Sequence, residues 1–158
     1  MAARAEQSIP PTRRRVRQNT AEAINRRIDD QIARNVRYFS AHPEAIDERL
    51  AELDEEWDIE RMIEANAASL ALAGTVLGAR VNSRFLVLPA LVTAFLLQHA
   101  VQGWCPPVPI LRRFGFRTAD EINTERYALK ALRGDFDAVP EKSSPAGSAN
   151  AALKAVRG

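Results

Sequence analysis

Few side chains in this sequence are equipped for chemistry. Among 158 residues there is one Cys, Cys105, and there are two His. A single thiol excludes an intramolecular disulfide and a self-contained Cys-cluster zinc site. Cys105 stands among prolines, with Arg112, Arg113 and Arg117 downstream. Nearby positive charge stabilises a thiolate, so a reactive or persulfide-carrying Cys105 is one reading, and a small buried residue is the other. His99 lies six residues earlier, about 9 Å along a regular helix, too far for a direct Cys–His pair. Gln98, His99 and Gln102 form a polar group that a partner helix or a headgroup region would have to receive. Arg13, Arg14, Arg15 and Arg17 suit anionic lipid. Nucleic acid is the weaker reading for that run, because no known binding fold or aromatic platform accompanies it. No cofactor or metal is implied, and a non-enzymatic role is favoured.

These residues sit on elements that the charge pattern separates. The formal charge is +2 overall, yet residues 1–41 carry about +5, residues 44–64 about −8, residues 65–79 none, and residues 80–134 about +5. The first eleven residues lack an apolar stretch, so no secretory signal is expected there, and no lipidation motif is visible. Residues 1–19 are polar and proline-containing and read as a disordered basic arm. Ile24, Ile28, Ile32, Val36 and Phe39 form one stripe of a helix. His42-Pro43 interrupts it, and Pro43 suits the start of a second, acidic helix. That helix has Ile46, Leu50, Leu53 and Trp57 on one side. The two are expected to form a soluble helical hairpin over residues 20–61. Its acidic face reads as solvated surface.

The centre is apolar. Residues 63–79 and 85–104 would reach about 25 Å and 30 Å as helices, against a bilayer core of about 30 Å. Only a short turn holding Arg80 and Arg84 separates them, so they must run antiparallel. The expectation is a two-span transmembrane hairpin over residues 62–117. A soluble bundle is the competing reading, but neither span has a polar face and the chain has little else to cover both. Gly74 and Gly78, continued backward by Ala67 and Ala71, place small residues along one helix face, a groove for another backbone. The occupant is either the second span or a second copy. Pro89 is expected to kink or locally loosen the second span. Trp57, Trp104, Arg112 and Arg113 flank the spans as membrane-interface residues do. Thr118-Ala119-Asp120-Glu121 reads as a capping box opening an amphipathic helix over 118–134, and residues 135–158 read as a flexible tail. The fold class is therefore all-α.

Glu60-Arg61 ahead of an Ala/Leu-rich span, the Arg/Asn/Ser turn, and a second span closing in Gly103-Trp104-Cys105-Pro106, followed by Gly115 and Thr118, resemble the YgaP-like inner-membrane transmembrane family. The stretch from Cys105 to Gly115 is longer than that family's usual form, and the flanking helices are additions. The resemblance implies a bacterial inner-membrane hairpin, often dimeric, of unassigned biochemical role. Some relatives carry a sulfurtransferase domain, for which this chain has no room. Three functions follow as expectations: a membrane scaffold or anchor that pairs with itself or a partner, a sulfur or redox relay through Cys105, and a soluble helical nucleic-acid binder. The arginines near the span ends place both termini in the cytoplasm.

Overall fold

The computed structural model describes residues 12–137 and Ala152. All regular structure among them is helical: α1 (Thr12–Gln18), α2 (Glu22–Ala41), α3 (Ile46–Glu55), α4 (Ile59–Arg80), α5 (Val87–Gln102), α6 (Val108–Phe114) and α7 (Ala119–Arg133), with short 3-10 turns ahead of α3 and α5. The described residues divide into two compact units. One holds those through Ile28 with Trp57–Ala119. The other holds Asp29–Glu56 with those from Asp120 onward. α2 contributes its first residues to the former and the remainder to the latter.

The first unit is built on α4 and α5, which pack as a hairpin. α4 begins where Asp58 accepts a hydrogen bond from the Arg61 amide at 2.7 Å, an N-cap that satisfies one of the helix's free donors. The turn is set by Asn82, whose side chain accepts from the Arg84 amide at 2.9 Å. Gly74 and Gly78 line the seam. A Cβ on Gly74 would lie 2.6 Å from Pro89 Cδ, and one on Gly78 would lie 2.5 Å from Leu86 Cδ2. At these two positions the small-residue groove seats the following segment of the same chain. Ala67 and Ala71, further back, are half-buried. Pro89 is the third residue of α5, and the segment just before that helix, Ser83–Leu86, is a 3-10 turn. The proline sits in the first helical turn, where a missing amide and a fixed φ cost little.

α4, and α5 together with the 3-10 turn that leads into it (Ser83–Gln102), are long and apolar enough to cross a membrane. In their most apolar stretches only 11% and 6% of residues are buried. Leu70, Leu72, Val76, Leu91, Leu97 and Val101 face outward, each about half exposed or more.

At one end of the hairpin, Val16 of α1, Ile59 and Ile63 of α4, Cys105 and Val108 form a buried cluster, with Leu96, Leu111 and Phe116 against it. Residues 12–18 are thus a helix with Val16 fully buried, not part of a disordered arm. The expectations for residues 1–11, and for the tail beyond Asp137 apart from Ala152, lie outside the described residues.

The second unit also differs from expectation. Ile46, Leu50 and Leu53 of α3 are buried against Ile122 and Leu129 of α7, with Phe39 at the edge. The two stripes of residues 20–61 therefore do not close on each other as a self-contained hairpin. The partner of α3 is a helix some seventy residues on, and Ile28 is buried in the first unit. Glu125 of α7 is fully buried and accepts from Arg49 Nε at 2.9 Å and Asn35 Nδ2 at 3.0 Å. Arg126 donates to the Leu53 carbonyl at 2.8 Å, a bond to the last turn of α3. Gly134 ends α7 at φ +87°. After it, Asp135 pairs with Arg133, whose bond holds the Asp135 carboxyl below its usual range.

Candidate functional site

The chemistry-bearing residues gather at the end of the hairpin where α5 runs out. Helix ends leave carbonyls without partners, and here α1 supplies donors. Arg15 Nη2 donates to the Ala100 carbonyl at 3.0 Å, and Asn19 Nδ2 to the Gln102 carbonyl at 3.3 Å. A cation suits the negative end of a helix. Gly103 closes α5 at φ +70°, and its amide donates to the His99 carbonyl at 2.7 Å. The approach is close: a Cβ on Gly103 would fall 2.3 Å from the Cβ of Arg15. Glycine is required there twice over, for the left-handed conformation and for the contact.

His99 is 5% exposed, and neither ring nitrogen has a hydrogen-bond partner among the described residues. Its helix face continues that of Val92 and Leu96, toward α4. Gln98 Nε2 lies 3.4 Å from Gln102 Oε1, a pairing along α5 itself.

Cys105 is 2% exposed and part of the apolar cluster. Burial pushes its thiol above the usual range, and the Val108 amide opposes this only in part. The three downstream arginines do not point to activation: Arg112 and Arg117 are buried, Arg112 with its guanidinium committed elsewhere, and Arg113 is turned outward. Arg112 is fully buried. Its Nε donates to Thr20 Oγ1 at 3.2 Å, Nη1 to the Phe116 carbonyl at 3.0 Å, and Nη2 to Asn25 Oδ1 at 2.9 Å. It is a core residue joining α6 to the start of α2, and not a membrane-interface residue. Arg113, next to it, is exposed. Its carbonyl accepts from Arg27 Nη2 at 2.8 Å.

Trp57 follows α3 without belonging to it. It is 41% exposed, with the Arg61 guanidinium 4.3 Å from its ring centre, a cation–π contact. Trp104 is 36% exposed beside Gly103. Of the basic run, Arg14 is exposed and Arg15 is bound to α5.

Between α4 and α5 runs a cleft of about 230 Å³, walled by Ile63, Ala67, Leu70, Phe95 and Leu96 and closed at one end by Cys105 with Pro106. Its one polar wall residue, Asn66, donates back to the Met62 carbonyl at 2.9 Å. Such a cleft can hold hydrocarbon and offers nothing to polarise a bond. Among the described residues no three His, Cys, Asp or Glu side chains converge as a metal site would require.

Sequence reasoning missed α6, the Arg112–Asn25–Thr20 network and the capping of α5 by α1. A signal for α6 existed: Pro107 and Pro109 bracket Val108, and proline is tolerated in a first helical turn. No family model matches the chain, and no curated protein and no solved structure matches it.

Proposed function

We propose that this chain is a small integral protein of the bacterial inner membrane, crossing it twice through α4 and α5, with both termini cytoplasmic, and that it serves as an anchor or scaffold. The observation that carries this reading is the exposure of both apolar helices. They bury one face against each other through Gly74 and Gly78, and the remaining faces are Leu- and Val-rich and open. Contiguous apolar surface of that extent does not suit water, and a hydrocarbon solvent accounts for it. The same feature speaks against a water-soluble nucleic-acid-binding bundle. The burial of Cys105, which pushes its thiol above the usual range, speaks against a sulfur relay. The inner-membrane assignment rests further on the resemblance drawn from Gly103-Trp104-Cys105-Pro106. Self-association, where it occurs, uses the outward faces, because the glycine groove is filled within the chain.

Alkaline carbonate extraction of membranes from expressing cells tests the reading. The chain is expected in the pellet. Recovery in the supernatant would refute membrane integration.

A further inference from the structure

We propose that α6 docks on an anionic phospholipid surface, with Ile110 and Phe114 inserted at headgroup depth and Arg113 on lipid phosphate. The proposal rests on the membrane reading of α4 and α5 and adds a third, non-spanning contact to it.

α6 has two faces. Val108 and Arg112 are fully buried, and Leu111 packs against the apolar cluster. On the opposite side Ile110 is 57% exposed and Phe114, one turn on, is 79% exposed, the highest value for a large apolar residue among the described residues. This outward pair is not a loose end. The buried face pins the helix, the Arg27 guanidinium holds the Arg113 carbonyl, and Gly115 ends the helix at φ +92°. A rigidly held, solvent-directed Phe–Ile pair needs an occupant.

Position and charge choose lipid. α6 follows shortly after α5 ends at Gln102, with only Gly103 to Pro107 between them, so it lies at a bilayer boundary when α5 spans. It contains two arginines and no acid, and exposed Arg113 adjoins Phe114. Apolar residues beside an arginine are what an interfacial helix presents to acyl boundary and phosphate together.

The test uses the full chain in vesicles of phosphatidylglycerol and phosphatidylcholine, in a Cys105→Ala background. A nitroxide is placed at Phe114→Cys or, in a separate variant, at Leu97→Cys on the outward face of α5. Oxygen partitions into lipid and a nickel chelate into water, so their accessibility ratio reports depth. The Leu97 label is expected deep. The Phe114 label is expected at headgroup level, several-fold above free label in buffer. Arg113→Gln is expected to lower the Phe114 ratio at least about twofold. If Phe114→Cys fails to fold, Ile110→Cys serves in its place. A deep Leu97 label with an aqueous Phe114 label overturns the proposal and leaves the membrane reading standing. Two aqueous labels overturn both. A Phe114 label shielded from both reagents assigns the surface to a second copy and overturns lipid docking. An unchanged ratio in Arg113→Gln overturns the choice of an anionic surface.

Discussion

Arg112 and Arg113 are adjacent and alike in the sequence, and the fold gives them opposite duties. Arg112 spends its guanidinium on Thr20, Asn25 and the Phe116 carbonyl. Arg112→Leu strands those acceptors in the interior, and hydrogen bonds to a charged group are worth about 1.5–3 kcal/mol each. A loss of about 3 kcal/mol is expected in denaturant unfolding in detergent, followed by tryptophan fluorescence. Arg112→Lys is expected to recover only part of it, since an ammonium lacks the planar fork. His99 presents the reverse case. Its buried ring nitrogens have no partner among the described residues, so removing them relieves a desolvation cost. His99→Leu is expected to be neutral or stabilising by about 1 kcal/mol in the same assay, and a clear destabilisation would show that the ring is satisfied. For Cys105 the sign follows from burial. A raised pKa keeps the thiol protonated at neutral pH, so alkylation in detergent should rise only at pH values above the free-thiol midpoint of about 8.5. A midpoint well below 7 would revive the sulfur relay. Cys105 was legible as the one thiol. Its surroundings were only partly so: Val108 stands three residues on, but Val16, which also closes over it, is far back in the chain.

At the scale of the helices, the seam between α4 and α5 makes the most direct claim. A methyl group on Gly74 meets the ring carbon of Pro89, which cannot rotate away, whereas one on Gly78 meets Cδ2 and Cγ of the Leu86 side chain, which has other rotamers to turn to, and comes within 3.2 Å of the Leu86 amide nitrogen. Gly74→Ala is therefore expected to cost more than Gly78→Ala, with overpacking penalties of about 1–3 kcal/mol, measured as a shift in the detergent unfolding midpoint. Absent effects would mean that the helices do not meet there, and equal losses that Leu86 yields no more readily than Pro89. The hairpin itself was legible because fifteen residues without charge, a short Arg-containing turn and a second apolar run leave few alternatives. Its ends were not. α1 is seven residues long, too short to be stable alone. It is helical because Val16 is buried and Arg15 and Asn19 cap α5, which are long-range contacts no local window contains. For the same reason the pairing of α3 with α7 escaped notice. Ile46, Leu50 and Leu53 announce an apolar face, but nothing in their spacing names Ile122 and Leu129 as its cover. Pro89 illustrates how a helix boundary changes a reading: a proline in the interior of a span is expected to kink or loosen it, and the same proline as third residue of α5 stands just after a 3-10 turn.

At the scale of the whole molecule the distribution of arginine decides orientation. Arg49, Arg61, Arg112, Arg113 and Arg117 lie on the terminal side of the spans, and Arg80 and Arg84 in the turn. Positive residues close to span ends resist translocation, and this is the ground for the proposal that both termini are cytoplasmic. Insertion acts on the nascent chain, so Arg112 and Arg117 count in this balance although both end up buried in the folded protein. The margin is only three residues, which makes the orientation adjustable. Fusions of a fluorescent protein that matures only in the cytoplasm, placed before Met1 or after Gly158, are expected to be bright, and a phosphatase active only in the periplasm is expected to be silent at the same sites. Adding Val81→Arg and Ser83→Arg to the turn while removing charge with Arg61→Gln and Arg113→Gln reverses the count. These four side chains are exposed, so core packing is not what the substitutions disturb. The altered chain is expected to insert in both orientations, with phosphatase activity appearing after Gly158. If it stays wholly cytoplasmic at both ends, charge near the spans does not set the topology. Orientation would then be fixed by the second unit, whose charged α3 and α7 are the hardest segments of the chain to carry across.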